Sequence, residues 1–272
     1  KPLVGAPFAG LAFGWFMVSY IALLLALVCA LMAGPADAQP QFKVLVAAIP
    51  NKYHNDYVAV AKPSFEQMAR RHNFELVWAW DTRPFDGDLS PYAAIVFLNT
   101  PGEELKGEQR QRLENYVRAG GGVMAVHRAL IGTPGQWPWF ERLIGRPFRT
   151  HPYIQTGVID VVDRNFPATF SLPDRWLWTD EWYEYGEPSS RDLKVVLTVD
   201  ESTYDPTLIW PDQKAEGMGK HHPVAWYHHF DGGRSFVTAL GHTPELYGDA
   251  VYLEHLYGGI YWAATGRGVK PN

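Results

Sequence analysis

The sequence has one cysteine among its 272 residues, Cys29, which lies in an uncharged N-terminal stretch. The rest of the chain therefore has no thiol chemistry, no disulfide and no cysteine-based metal site. The sequence also has no basic run, and its net charge is −5, which argues against a nucleic-acid partner. A chain of this length buries enough apolar surface without cross-links, so we expect the fold to depend on its core.

Charge is absent from residues 11–34, LAFGWFMVSYIALLLALVCALMAG. Pro35 and the sequence ADA at 36–38 follow, as at a signal-peptidase site. We predict a signal peptide over residues 1–38, a single domain over residues 39–272, and a periplasmic or secreted location without membrane contact after cleavage. An uncleaved anchor is the alternative, since a run of this length can span a bilayer of about 30 Å.

Buried strands alternate with helices in the first half of the predicted domain. Apolar runs rich in β-branched residues predict strands at 42–48, 74–80, 93–99 and 122–127. Helices are predicted from Pro63 to about His72 and over 105–119. This order predicts an α/β fold with an open, mostly parallel sheet flanked by helices.

Beyond about residue 145 the sequence becomes β-rich. Strand-like segments lie at 154–163, 176–183, 193–199, 222–230 and 234–241. An aromatic-rich helix is predicted over 249–264, although Gly258 and Gly259 each cost about 1 kcal/mol relative to alanine.

The sequence RAGGGVMAVHRALIG at 118–132 places His127 at the tip of a buried strand. The glycines at 120–122 are expected to end the preceding helix and turn the chain. Ligands meet parallel α/β sheets beyond the carboxyl ends of the strands, and an imidazole there can act as acid, base or metal ligand. The alternative for a lone histidine is a hydrogen-bonded core residue.

Further polar residues recur at or near other strand ends, and this recurrence favours a functional site. They are His54, His151, Asp180, Glu181, Tyr183, His222 and His242. By contrast, His72 and His255 fall inside predicted helices and are expected at the surface.

No H-E-x-x-H metal motif and no G-x-S-x-G nucleophile motif occurs. A divalent metal, Zn²⁺ or Mn²⁺, is still possible because imidazole and carboxylate groups suit both ions. The candidate ligands are His54, His127, His151, Glu181 and His242.

Aromatic residues are abundant, with 11 Trp and 14 Tyr. Flat rings with a polar edge suit the faces of sugars, and packing in the core is the alternative. The candidates for sugar contact are Trp137, Trp139, Trp176, Trp178, Trp182 and Trp226.

Between residues 42 and 266 the sequence resembles the ThuA-like (trehalose-utilisation) family. The matching segments are YHN at 53–55, GGGVMAVH at 120–127, HP at 151–152, DEWY at 180–183, HPVAW at 222–226, GR at 233–234, GH at 241–242 and YWAA at 261–264.

The resemblance implies the flavodoxin-like fold of class I glutamine amidotransferases and a role in carbohydrate metabolism. His127 occupies the turn that carries a catalytic cysteine in the amidotransferases, so amidotransferase activity is not expected. Arg128 departs from the small residues that usually follow this histidine in the family, and its bulk and charge are expected to alter or narrow the pocket.

Our hypothesis from the sequence is an enzyme acting on a glycoside or keto-sugar derivative, with a small carbohydrate as its partner. His127 is the proposed general base or metal ligand, with Glu181 and His54 as further catalytic residues. The substrate-binding candidates are His151, Asp180, Tyr183, His222, Trp226, Arg234 and His242. The alternative is a non-catalytic module that binds a sugar or a partner on the same scaffold.

Overall fold

The computed structural model describes Pro2 and residues 39–269. The predicted signal peptide therefore lies almost wholly outside the described residues. From Pro40 onward the described residues belong to one compact unit. Among the residues that the structure describes, no helix has both the length and the apolar character needed to cross a membrane.

The unit is built on a large mixed sheet with helices on both faces. The strands are β1 (Lys43–Ala47), β2 (Glu75–Ala79), β3 (Ala94–Leu98), β4 (Gly122–Val126), β5 (Phe148–Thr150), β6 (Gln155–Val161), β7 (Arg175–Asp180), β8 (Glu184–Tyr185), β9 (Lys194–Asp200), β10 (His222–Phe230) and β11 (Gly233–Thr238). The helices are α1 (Tyr57–Arg71), α2 (Glu108–Arg118), α3 (Pro138–Ile144) and α4 (Ala250–Thr265).

Nine strands form the main sheet in the order β2-β1-β3-β4-β11-β10-β9-β6-β7, and β5 pairs with β8 separately. The first five strands in this order are parallel to one another. The pairings from β11 to β7 are antiparallel. The predicted α/β class is thus confirmed, and the sheet is parallel over one half only, because hairpin and meander connections in the second half reverse the chain without helices.

Both faces of the parallel half are buried. Val44 and Val96 pack with residues of α1 and α4 on one face. Leu45 and Phe97 pack with residues of α2 and α3 on the other. Burial on both faces explains why these strands appear as continuous apolar runs in the sequence.

Helix α1 begins six residues before Pro63, so the predicted start of this helix is wrong. Pro63 lies inside the helix at an exposed position. A proline in a helix interior costs about 3 kcal/mol. Burial of Tyr57, Val58 and Ala61 in the first turns offsets that cost. The short helix α3 and the small sheet of β5 and β8 are not predicted from the sequence.

Glycines permit the close packing of α4 against the sheet. A Cβ atom on Gly122 would lie 1.8 Å from the carbonyl oxygen of Ala263. On the helix itself, a Cβ on Gly258 or Gly259 would lie within 2.4 Å of Pro167 or Phe236 respectively. Gly258 and Gly259 have a low helix propensity, but the close contact between α4 and its neighbours leaves no space for a side chain at these positions.

Candidate functional site

Three histidines meet at the carboxyl edge of the parallel strands, and we call His54, His127 and His242 the histidine cluster. Nε2 of His127 lies 3.1 Å from Nε2 of His54 and 3.1 Å from Nδ1 of His242. The remaining pair, Nε2 of His54 and Nδ1 of His242, is 3.2 Å apart. The cluster joins residues up to 188 positions apart in the sequence.

The backbone that presents the cluster is left-handed at His127 and at Gly241, the residue before His242. His127 follows β4 with a φ of 50°, a left-handed conformation that costs a non-glycine residue roughly 1–3 kcal/mol. Gly241, with a φ of 124°, precedes His242 in the turn after β11. His54 is held by the side chain of Asn51, whose Oδ1 accepts a hydrogen bond from the His54 amide.

Asn99, at the end of β3, connects the loops that carry the cluster. Its Oδ1 accepts from the amide of Arg128, and its Nδ2 donates to the carbonyl of Gly241. Its own carbonyl accepts from Nδ2 of Asn51. Asn99 is fully buried and has a φ of 49°. One side chain and its backbone thus link the turns beyond β1, β4 and β11.

Asp180, the last residue of β7, performs a similar role from the antiparallel half. Its carboxylate accepts from the amides of Gly241 and His242, from the amide of Glu181 and from the indole of Trp178. Complete burial raises the pKa of Asp180, while the charge of His127 and these donors act in the opposite direction. Asp180 was predicted to bind substrate, but the structure places it beneath the site as a support for the backbone.

The next residues of the same turn add a carboxylate and a phenol to the cluster. Oε2 of Glu181 lies 3.3 Å from Nδ1 of His242 and 3.5 Å from Nε2 of His127. The hydroxyl of Tyr183 lies 3.0 Å from the same His127 nitrogen. On the other side of Glu181, Nε2 of His151 lies 3.6 Å from Oε2.

The protonation of two histidines follows from their contacts with carbonyls. Nδ1 of His127 lies 2.7 Å from the oxygen of Ala239, and Nδ1 of His151 lies 2.9 Å from the oxygen of Pro152. A carbonyl only accepts, so each Nδ1 carries a hydrogen and, in the neutral ring, each Nε2 has a free lone pair. Both lone pairs face the region around Glu181.

Burial and neighbouring charges shift the pKa values of the site. Burial, together with His127 and His242, lowers the pKa of His54 to about 3. Burial alone would raise the pKa of Glu181, but hydrogen bonds and charges from the histidines outweigh it and lower this pKa overall. Burial also lowers the pKa of His151, against the opposing charge of Glu181. In His242 the contacts with Glu181 overcome burial and raise the pKa.

A cavity of about 590 Å³ opens onto the cluster. His54, His242, Glu181 and Tyr183 contribute to its wall. The remaining lining residues come mostly from loops: Tyr53, Arg128, Ile131, Phe148, Arg149, Thr150, His151, Trp210, Asp212 and Gln213. The volume is in the range of small-molecule sites.

Three further residues predicted to bind substrate lie elsewhere. The Trp226 ring is fully buried and its indole donates to the carbonyl of Ile144. Arg234 lies at the start of β11, at the opposite end of the parallel strands, and donates to the carbonyl of Ala263. His222 is also fully buried and lies behind Tyr183, with Nε2 2.8 Å from its carbonyl oxygen. These three side chains contact other parts of the fold and are not among the described residues that line the cavity.

None of the six tryptophans proposed for sugar contact is among the described residues that line the cavity. Trp210, which was not proposed, does line it, with its ring 5.3 Å from that of His151. Trp210 lies in a loop, where the sequence has no periodic pattern. Apart from the neighbouring Pro211, nothing in the local sequence indicates that this tryptophan lines a cavity. Asn99 was also missed, although it follows a buried strand in the same way as His127.

The prediction that His255 is a surface residue is wrong. His255 is 1% exposed, and its ring contacts the carbonyl of Ala168 and the hydroxyl of Thr238. Helix α4 is buried over most of its circumference, so a polar residue in it can still face the core. His72, at the end of α1, stacks on Tyr257.

The cluster fits a divalent metal ion. Ligand nitrogens about 2.1 Å from one ion in tetrahedral or octahedral geometry lie about 3.0 to 3.4 Å apart. The cluster nitrogens are 3.1 to 3.2 Å apart. Glu181 supplies an adjacent carboxylate oxygen of the kind that Zn²⁺ and Mn²⁺ accept beside imidazole.

Together, the fold and the site define a class: α/β proteins with a histidine and carboxylate centre at the carboxyl edge of a parallel sheet. The sequence model of the ThuA family, described as trehalose utilisation, matches residues 43–263. The chain belongs to the ThuA family. No curated protein matches the sequence.

Similar solved structures support the fold. A ThuA-like protein from Bacteroides uniformis has a TM-score of 0.70 at 23% identity, over 85% of this chain and 95% of its own. A ThuA-like protein from Parabacteroides merdae has a TM-score of 0.65 at 22% identity, over 86% of this chain and 93% of its own. A β-galactosidase from Bacillus circulans sp. alkalophilus reaches 0.52 at 15% identity, over 83% of this chain but 31% of that enzyme. At these identities the likeness establishes the fold alone.

Proposed function

We propose that the chain is an enzyme of carbohydrate metabolism that acts on a glycoside or a keto-sugar derivative. The observation that carries this proposal is the convergence of three imidazole nitrogens within 3.2 Å of one another beside a cavity of about 590 Å³. A cavity of this volume suits one or two sugar rings. The description of the family as trehalose utilisation supports a carbohydrate substrate.

In this proposal His54, His127 and His242 hold a divalent ion, with Glu181 beside them. When bound there, such an ion would polarise a substrate oxygen or lower the pKa of a bound water. The hydrogen bond from Nδ1 of His127 to Ala239 keeps the Nε2 lone pair directed at the cluster. Asn99 and Asp180 hold the loops of the cluster in place.

His151 is the proposed general base. Burial keeps its imidazole neutral near pH 7, and its Nδ1 hydrogen is engaged by Pro152. Its Nε2 therefore has a free lone pair at the cavity wall, 3.6 Å from Glu181. A base in this position can remove a proton from substrate, and the nearby carboxylate stabilises the imidazolium that results. The sequence alone suggested His127 as the general base. The lone pair of His127 faces the other histidines, so we assign the base to His151 instead.

Tyr183 and Trp210 are proposed to position the sugar. Burial and the nearby Glu181 raise the pKa of Tyr183 well above its usual value, so its hydroxyl stays protonated and can donate a hydrogen bond. The indole of Trp210 forms part of the cavity wall and offers a flat surface to a sugar ring.

The test combines calorimetry with product analysis by mass spectrometry on a panel of glycosides and their keto derivatives. The protein is stripped of metal and then reloaded with Zn²⁺ or Mn²⁺. We expect product from at least one derivative with the reloaded protein and none with His127→Ala. We also expect His151→Gln to lower turnover about 100-fold or more while keeping its metal content. Binding without product would show that the protein is a sugar-binding module and not an enzyme. Unchanged turnover in His127→Ala would refute the catalytic role of the histidine cluster.

A further inference from the structure

Arg128 brings to the cavity a positive charge that no carboxylate of the described residues pairs with. It follows His127 directly, is half-buried and lines the cavity. Its amide is fixed by Asn99, so the start of the side chain is held in place. The guanidinium carbon lies 5.7 Å from the centre of the Tyr53 ring, which is exposed at the mouth of the cavity.

Within residues 39–269 the guanidinium of Arg128 forms neither an ion pair nor a hydrogen bond, and its Nε is buried without a partner. The Nε of Arg146 is also buried without a partner, whereas Arg118 pairs with Glu114 and Asp231. Arg175 pairs with Asp160 and Asp200. The two terminal nitrogens of Arg128 likewise have no acceptor among the described residues, and they are the donors available to an anion in the cavity.

Among the described residues, the acidic residues of the cavity form no ion pair with Arg128. The carboxylate of Glu181 is engaged by the histidines. Asp212 is exposed at the rim and forms no ion pair among the described residues. Arg149 adds a second positive charge to the lining. Arg128 lines the same cavity as His54 and His242.

From this geometry we infer that Arg128 selects a sugar that carries a carboxylate, and that the substrate is an oxidised, anionic sugar derivative. The inference rests on the proposed function and names its substrate class. The planar guanidinium binds a carboxylate through two parallel hydrogen bonds. The carboxylate then lies next to the cluster, so the same contact orients the sugar ring relative to His127. A phosphate group offers similar acceptor oxygens. The experiment therefore includes a sugar phosphate, which distinguishes a phosphate site from a carboxylate site.

The experiment measures binding to metal-stripped protein by calorimetry, so that no turnover is needed. The ligands are methyl glucuronide, methyl glucoside and glucose 6-phosphate. We expect the glucuronide to bind about tenfold tighter than the glucoside, or more, and tighter than the phosphate. In Arg128→Gln the glucuronide and the glucoside bind equally. Arg128→Lys keeps part of the preference, because it keeps the charge and loses the paired hydrogen bonds.

Arg142→Gln is the matched control, since it removes an equal charge from an exposed position on α3 outside the cavity. It keeps the full preference for the glucuronide. Equal binding of glucuronide and glucoside by the unaltered protein would overturn the inference and leave the proposed sugar site standing. A preference for the phosphate would overturn the choice of carboxylate. Absence of binding by all three ligands would count against the sugar site as well.

Discussion

Two regions of the molecule bury histidines at nearly the same depth and use them differently. In the contact of α4 with β11, His255 is 1% exposed, and its two nitrogens contact the carbonyl of Ala168 and the hydroxyl of Thr238. At the carboxyl edge of the sheet, His54 is 6% exposed and its Nε2 contacts other imidazoles. Burial lowers the pKa of His255 to about 4 and, with its charged neighbours, that of His54 to about 3.

The comparison shows that burial and a lowered pKa do not by themselves mark a functional histidine. A functional histidine is distinguished by the atoms that its ring nitrogens contact. The carbonyl of Ala168 accepts from Nδ1 of His255 and the hydroxyl of Thr238 donates to its Nε2, so the neutral ring is satisfied completely within the fold. In the histidine cluster three nitrogens face one another, and hydrogen bonds between them can use only some of the lone pairs. The proposed divalent ion would complete this arrangement.

The largest difference that we expect between the two regions is in metal affinity. His54→Ala removes a ligand and should lower the affinity for Zn²⁺ at least about 100-fold, since loss of supporting contacts alone costs 10- to 100-fold. His255→Gln should bind Zn²⁺ within about twofold of the unaltered chain. Competition titration with a coloured chelator measures both. Equal losses in the two variants would remove the distinction between the regions.

Stability should respond in the opposite way. His255→Ala leaves a cavity and removes the ring partner of the Ala168 carbonyl and of the Thr238 hydroxyl, so we expect the free energy of unfolding to fall by about 2 to 3 kcal/mol. Without metal, His54→Ala should change it by less, because Nδ1 of His54 is already buried without a partner. Urea denaturation of metal-free protein measures the two values. A larger loss for His54→Ala would show that the cluster is a structural element.

The same residues show how much of the fold and of the site could be predicted from the sequence. The parallel strands could be predicted because burial on both faces leaves continuous apolar runs, and the polar residues after them include His54, His127 and His242. The burial of His255 could not be predicted, because a buried helix and an exposed helix can share the same spacing of aromatic residues. Trp210 lies in a loop whose path depends on the antiparallel half, which no local pattern specifies.

A smaller effect is expected at Asn99, which contacts the loops of the cluster without contacting its rings. Asn99→Ala should lower Zn²⁺ affinity about tenfold, in the range of a supporting residue. Asn115→Ala is the control, since Asn115 is exposed on α2 and contacts only other surface side chains. Affinity unchanged in Asn99→Ala would mean that the turns hold their positions independently.

The smallest effect concerns pH. The pKa of His255 falls from 6.5 to about 4 on folding, so between these values the unfolded chain binds more protons and stability falls as pH falls. Over the first pH unit below 6.5 this loss is about 1 kcal/mol. In His255→Gln that part of the loss should disappear. Urea denaturation across this pH range compares the slopes, and identical slopes would assign the acid sensitivity to other groups.

X-ray absorption spectroscopy of the zinc-loaded chain tests the central claim most directly. The account predicts one zinc ion per chain, with three imidazole nitrogens at about 2.0 to 2.1 Å. The multiple-scattering signal of imidazole should decrease in His242→Ala and stay unchanged in His255→Gln. A chain that binds no zinc, or binds it without imidazole in the coordination shell, would contradict the account.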